Sequence, residues 1–131
     1  MKKMIRATTL AALLIAGGGA VLAADAPAVV REEILRTEVG SGLEAVLGRA
    51  SLPVGSDTGR HIHPGTELGT VVEGSVELTI DGQPPRTLKA GEGFMIPLKA
   101  VHRFRNIGNG PARIAPVWII EKGQPIAIPV K

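Results

Sequence analysis

The residues best suited to chemistry are the three histidines of the chain and one nearby glutamate. His61 and His63 are two residues apart, so on a β-strand, where side chains alternate, both point to the same face. The turn residues at 64–66 can bring Glu67 back towards them. His102 supplies a third imidazole. Imidazole and carboxylate are typical ligands of divalent transition metals, so these four residues are predicted to form a metal site.

The first 24 residues have the pattern of a secretory signal peptide. A basic start precedes an apolar run over residues 7–22, and the sequence VLAA at 21–24 is typical of a signal-peptidase site. The apolar run falls short of the roughly 20 residues that a spanning helix needs, which favours a cleaved signal over a membrane anchor. We therefore expect cleavage after Ala23 or Ala24, a periplasmic or secreted protein, and no stable membrane insertion after cleavage.

Charge and missing residue types exclude several classes of function. Three of the 15 basic residues lie in the expected signal peptide, which leaves 12 basic against 12 acidic residues. Because phosphate binding depends on clustered Lys and Arg, this balance predicts no nucleic-acid partner. The absence of cysteine excludes a thiolate nucleophile, a thiolate metal ligand and a lipidated cysteine. The absence of tyrosine removes a phenolic acid or base.

Short apolar runs separated by turn signals predict an all-β fold. Asp81-Gly82 marks a hairpin, because both residues tolerate the positive φ of the favoured two-residue turns. Residues 91–93 and 108–111 mark further turns. The short strands typical of a β-sandwich or barrel are predicted at 43–52, 68–72, 76–80, 94–96, 101–104, 112–120 and 126–130.

Residues 30–39 allow two interpretations. Val30 and Ile34 suit a helix, whereas the β-branched ends of the segment suit a strand, and we favour extended structure. The prediction is therefore an extended leader over 25–40, followed by one domain over 41–131. A mature chain of this size is large enough for a single hydrophobic core.

Two motifs between residues 55 and 106 resemble those of the cupin family, and specifically small single-domain bacterial cupins. The first motif, glycine, His-x-His, glutamate and glycine, is matched by Gly55, His61, His63, Glu67 and Gly74. The second motif, glycine, proline, histidine and asparagine, is matched by Gly91, Pro97, His102 and Asn106. Lys99 stands where the second motif usually has a further glycine, which leaves the tight turn before His102 open.

This resemblance implies a jelly-roll β-barrel that holds one divalent transition metal ion, namely Mn, Fe, Co, Ni, Cu or Zn. One carboxylate against a divalent ion leaves a net charge of +1, which favours an anionic or enolisable oxygen ligand. The favoured function is a metal-dependent enzyme of oxygenase, isomerase or lyase type on a small oxygen-rich substrate. The alternatives are a non-catalytic module that binds or senses a small molecule or metal, and a structural or storage protein. A homodimer is expected, because exposed strand edges invite pairing.

Few other residues are predicted near the metal. Phe104 follows His102 by two positions and should share its inward face, whereas Asn106 is a weaker candidate. Trp118 is more typical of packed core than of substrate stacking. The available bases are Glu67, Glu73, Glu92 or a metal-bound hydroxide, which is little provision for proton transfer.

Overall fold

The computed structural model describes residues 27–131, so the predicted signal peptide lies outside the described part of the chain. Within that range the chain forms ten strands and no helix, and therefore no helix long and apolar enough to cross a membrane. The strands are β1 (Val30–Gly40), β2 (Leu43–Leu52), β3 (His61–Ile62), β4 (Gly65–Glu73), β5 (Ser75–Ile80), β6 (Arg86–Lys89), β7 (Gly93–Ile96), β8 (His102–Asn106), β9 (Ala112–Glu121) and β10 (Ile128–Pro129).

The strands form two five-stranded antiparallel sheets that enclose the core. The first sheet has the order β1-β2-β9-β4-β7, and the second has the order β10-β3-β8-β5-β6. Alternating burial along β2, β5 and β9 directs one face of each strand inward, as expected for strands that cover a core on one side. Phe94 of the first sheet and Phe104 of the second meet edge to face, with ring centroids 4.9 Å apart. The predicted all-β jelly-roll class is confirmed.

The ambiguous segment at 30–39 is extended and forms most of β1. This strand pairs with β2 along its whole length, from Val30 opposite Ser51 to Gly40 opposite Leu43. All eleven of its residues are exposed, because β1 is an edge strand of the first sheet. The segment predicted as a leader therefore contributes an edge strand to the first sheet, next to β2.

The turn signals form as predicted, with one strand missed and one segment misassigned. Gly82, with φ of +79°, closes the β5–β6 hairpin. Strand β6 was missed because Leu88 is its only large apolar residue. Residues 65–66 belong to β4, not to a turn, so the chain crosses from the second sheet to the first at Pro64. A Cβ on Gly65 would lie 1.8 Å from the carbonyl oxygen of Ile119, so the close approach of β4 to β9 requires glycine.

Candidate metal centre

The predicted ligands come from both sheets and meet in the interior. His61 on β3 pairs directly with His102 on β8, and their ring centroids are 4.3 Å apart. His63 follows β3 at the point where the chain leaves the second sheet. Glu67 lies on β4 in the first sheet, opposite Trp118 of β9. All four ligand side chains are buried, each at 5% exposure or less.

The three imidazoles form a compact cluster. Each histidine offers one ring nitrogen, and these nitrogens all lie within 4.8 Å of one another. The Glu67 carboxylate adjoins the cluster, because its Oε2 lies 2.8 Å from His63 Nε2 and 3.3 Å from His102 Nε2. The predicted turn is therefore not what brings Glu67 to the histidines. The strand crossing at Pro64 places Glu67 on the opposite sheet, facing them.

Backbone carbonyls orient all three rings. The Nδ1 atom of His61 lies 2.9 Å from the Gly59 oxygen, and that of His102 lies 2.9 Å from the Ala100 oxygen. The third contact joins His63 Nδ1 to the Ile126 oxygen at 2.5 Å. A carbonyl only accepts, so each Nδ1 carries the proton and donates it. In the neutral rings every Nε2 then holds a lone pair, which is the tautomer that a metal ligand needs.

Two buried polar atoms at this cluster lack a hydrogen-bond donor, namely Glu67 Oε2 and His102 Nε2. An unpaired buried polar group costs free energy, and an acceptor facing another acceptor adds electrostatic repulsion. A divalent cation coordinated by His61, His63, Glu67 and His102 would satisfy both atoms at once. Their three nitrogens and one carboxylate suit a transition metal, whereas Ca²⁺ and Mg²⁺ prefer more oxygen ligands. The residues therefore fit the expected divalent transition metal.

The protonation of two ligands also favours a bound cation. Burial lowers the pKa of His61 to about 4, so its imidazole is neutral at ordinary pH. Burial alone would raise the pKa of Glu67, but the adjacent imidazoles of His102 and His63, when one of them carries a proton on Nε2, outweigh burial and lower that pKa to about 2. Glu67 is thus an ionised carboxylate within a buried cluster. Both groups are held in their metal-binding forms.

A small cavity adjoins the ligands. Its free volume is about 10 Å³, which is roughly the space of one water molecule. Phe104 and Trp118 line it, together with Arg31 from β1. Trp118 is buried, as predicted for a core residue, yet its Nε1–H also lies 3.3 Å from His63 Nε2. It is therefore both core and pocket wall.

The remaining predicted neighbours lie away from the ligands. Asn106 is buried, but its amide donates to the carbonyls of Leu52 and Gly110, so it joins the end of β2 to the loop before β9. Glu73 is half exposed and pairs with Arg113 at 3.3 Å. The exposed Glu92 accepts a hydrogen bond from the Lys89 backbone. Neither glutamate lines the cavity.

Lys99 adopts the conformation for which glycine is usual. Its φ of +57° lies in the left-handed region, and its N–H donates to the His63 carbonyl at 3.1 Å. The turn before His102 therefore forms with lysine in place. It also links the segments that carry His63 and His102. Sequence reasoning missed Arg31, because only the pairing of β1 with β2 brings it to the cavity.

Comparison with known proteins gives matches that cover part of the chain. Polyketide synthase CurC from Streptomyces cyaneus is 41% identical over 69 residues, which are 52% of this chain and 44% of CurC. The transcriptional regulator PuuR from Escherichia coli is 44% identical over 61 residues, which are 46% of this chain and 32% of PuuR. The chain thus spans less than half the length of either relative.

Solved structures share the fold. A structure of oxalate oxidase in complex with the substrate analogue glycolate aligns with a TM-score of 0.59 and 28% identity, over 66% of this chain and 46% of that one. The Cupin_2 family model, described as a cupin domain, matches residues 48–120, which include every predicted metal ligand. The chain therefore belongs to the cupin family.

Proposed function

We propose that this protein is an exported metal-dependent cupin enzyme of oxygenase, isomerase or lyase type, acting on a small, oxygen-rich, anionic substrate. The observation that carries the proposal is the buried meeting of three imidazole nitrogens with a Glu67 oxygen that has no hydrogen-bond donor. Groups of this kind are stable together only around a cation.

The side chains of the site divide into holding and shielding roles. The backbone carbonyls of Gly59, Ala100 and Ile126 fix the imidazole rings, so the ligands need no reordering to bind an ion. Phe104 and Trp118 give the cavity apolar walls, which limit the access of water to it. When bound, a divalent transition metal supplies Lewis-acid stabilisation of negative charge on a substrate oxygen, or redox chemistry if it is Fe, Cu or Mn.

The cavity offers little for separate proton transfer. Among the described residues that line it, the ionisable ones are Arg31 and the ligands His61, His63 and Glu67. A guanidinium does not act as a base at ordinary pH. This scarcity favours a reaction in which the metal stabilises the developing charge and the substrate needs no dedicated protein base. The glycolate bound to the similar oxalate oxidase supports a small oxygen-rich acid as the substrate class.

Turnover assays on three matched forms test the proposal. The metal-loaded wild type, the metal-free wild type and the metal-treated His63→Ala variant are compared on oxalate, glycolate and related small hydroxy and keto acids. Conversion by the loaded wild type alone would support an enzyme. Equal turnover by all three forms would contradict it.

A non-catalytic binding or sensing module is the second candidate. The similarity to part of the regulator PuuR and the scarcity of bases favour it. In this case a small acid raises the melting temperature of the loaded protein and is recovered unchanged. Consumption of the acid in the same sample would exclude a non-catalytic binding module.

We also propose that residues 1–24 act as a secretory signal and that the mature chain works in the periplasm or outside the cell. The basic start, the apolar run and the VLAA segment support this. Intact-mass measurement on protein from a periplasmic fraction tests it. A mass that starts at Ala24 or Asp25 agrees, whereas a full-length chain retained in the cytoplasm contradicts it.

The expected homodimer has a candidate surface on the outer face of the first sheet. Five apolar residues lie side by side across its five strands and form a row that we call the apolar row. Cross-strand pairing links them in the order Leu35, Leu47, Val117, Leu68 and Met95. Four of the five are more than a third exposed, the exception being Val117. A groove of about 720 Å³ opens on the same face.

We propose a second copy of the chain as the occupant of this face. The row is symmetrical about Val117 on the central strand β9, so a two-fold axis there sets Leu47 of one copy against Leu68 of the other. Charges near one end of the face are already paired within the chain, as in Glu32 with Arg49 and Glu73 with Arg113. Face-to-face packing of two such sheets would bury an apolar surface without burying an unpaired charge.

A further inference from the structure

Arg31 reaches the cavity from the edge strand β1 of the first sheet. It lies on β1 and pairs across the strands with Ala50, whose side chain is buried in the core. Because directly paired residues point to the same face, Arg31 also points inward, although β1 is an exposed edge strand. Its side chain lines the same small cavity as His61, His63 and Glu67.

The guanidinium of Arg31 is held only loosely. Its single hydrogen bond runs from Nη2 to the Thr58 carbonyl at 3.5 Å, the limit of a useful contact. No carboxylate of the described residues lies within ion-pair distance of it. Six other arginines of the same range each have such a partner, namely Arg36, Arg49, Arg60, Arg103, Arg105 and Arg113.

The surroundings of Arg31 favour an additional anion. Burial lowers the pKa of its guanidinium, which is the cost of partial removal from water, and the negative Glu67 partly offsets that cost. When Glu67 coordinates a metal ion, the ion neutralises part of the negative charge of Glu67. Glu67 then attracts Arg31 less strongly. The charges of a divalent ion, its one carboxylate ligand and the Arg31 guanidinium add up to a net positive charge at the mouth of the cavity.

We propose that Arg31 binds the carboxylate of a small acid substrate and so selects for a carboxylate next to the metal-binding oxygens. The planar guanidinium suits a carboxylate, since it can donate two parallel N–H bonds to the two oxygens. Because the cavity has space for about one water molecule, a small acid with a second oxygen, such as a 2-hydroxy, 2-keto or dicarboxylic acid, would reach both Arg31 and the metal centre with an outward shift of the Arg31 side chain. This role rests on the proposed function.

The position of Arg31 also separates it from the shared features of the family. The cupin domain model matches residues 48–120, so it includes the ligands but not β1. Selection for the acid would therefore come from a strand outside the matched region. The guanidinium of Arg31 makes one hydrogen bond, to Thr58 at 3.5 Å, so an outward shift to meet a ligand would break only that bond.

Oxalate binding measured by calorimetry on the full chain tests the role. The wild type and the variants Arg31→Gln, Arg31→Lys and Arg49→Gln are loaded with Mn²⁺, and their metal content is measured first. Arg49 is the matched control, because it is an arginine of the neighbouring strand whose side chain is exposed and pairs with Glu32. We expect equal metal content in all four. Arg31→Gln should bind oxalate roughly 10- to 100-fold more weakly, the range for loss of a charged hydrogen bond. Arg31→Lys should lose less, and Arg49→Gln should match the wild type.

The outcomes separate the two proposals. If the wild type retains no metal, the proposed function fails, and the role of Arg31 fails with it. If all four proteins retain metal and Arg31→Gln binds oxalate as tightly as the wild type, only the role of Arg31 is overturned. If the metal-loaded wild type binds none of the acids oxalate, glycolate and acetate, the role of Arg31 is overturned as well.

Discussion

Glu67 Oε2 lies 2.8 Å from His63 Nε2. Glu67 belongs to the first sheet, and His63 directly follows β3 of the second sheet. Because His63 Nδ1 donates to the Ile126 carbonyl, the neutral ring turns a lone pair towards a negative oxygen. Only a proton or a metal cation between them makes this contact favourable. Protons and metal therefore compete for the same position, and metal affinity should fall as the pH falls.

The metal-free protein should lose stability in acid. His61 titrates near pH 4 in the folded chain instead of near 6.5, so between these values the unfolded chain binds more protons. The contribution of His61 to the unfolding free energy is then complete above pH 6.5. It falls as the pH drops to 4, by at most about 1.4 kcal/mol per pH unit. Glu67 acts in the same direction between 4.5 and about 2. Urea denaturation in EDTA at several pH values measures the slope.

The matched variant for this slope is His61→Gln, which has no titrating group at the position. Its unfolding free energy should depend less on pH between 6.5 and 4.5. An unchanged slope would show that His61 is not the group responsible.

Replacing Lys99 by glycine should stabilise the protein. At φ of +57° a lysine side chain crowds its own backbone, whereas glycine does not. We expect the unfolding free energy to rise by up to about 1 kcal/mol, after the greater freedom of glycine in the unfolded chain is allowed for. Thermal unfolding measures it. The control Leu98→Gly, in the same turn but without positive φ, should be destabilising, and a similar loss in both variants would contradict the explanation.

Adding a methyl group against the Trp118 ring should destabilise the protein and weaken metal binding. A Cβ on Gly48 would lie 2.4 Å from the Trp118 ring, which contacts His63. We expect Gly48→Ala to cost about 1 to 3 kcal/mol of stability by overpacking and to weaken metal binding. Gly93→Ala is the control, since its nearest neighbour would lie at 3.6 Å. Equal melting temperatures and metal affinities in both variants would refute a role for this packing.

A charge in the apolar row should separate the proposed dimer. Leu68→Lys places an ammonium group at the centre of the outer face of the first sheet, where desolvation would be costly. Light scattering should show a dimer for the wild type and a monomer for this variant. Val54→Lys, at an equally exposed apolar position in the loop after β2, should remain a dimer. A monomeric wild type at tens of micromolar would contradict the proposal.

The clustering of His61, His63 and His102 could be predicted from short-range signals. The alternation of His61 and His63 depends only on strand geometry, and the three histidines left few other choices. Turn residues such as Asp81-Gly82 likewise act within a few residues. The fold class follows from the same short-range patterns.

Features that depend on pairing between distant strands could not be predicted in this way. Arg31 reaches the cavity only through the register that sets it opposite Ala50. Glu67 approaches the histidines from the opposite sheet, which no spacing in the sequence distinguishes from a local turn. Strand β6 carries too few apolar residues to signal its pairing with β5. Lys99 adopts positive φ because its N–H reaches the His63 carbonyl, a contact across the turn.

The proposed metal site is tested most directly by the metal content of the purified protein, combined with calorimetric titration of Mn²⁺ or Co²⁺ into the metal-free chain. We expect about one ion per chain for the wild type and for the surface control Glu73→Gln. We expect at least a hundredfold weaker binding for His63→Ala and His102→Ala, which each remove a ligand, and for Glu67→Gln, which removes the negative charge of one. A wild type that binds no transition metal, or ligand variants that bind as tightly as the control, would contradict a metal site at these residues.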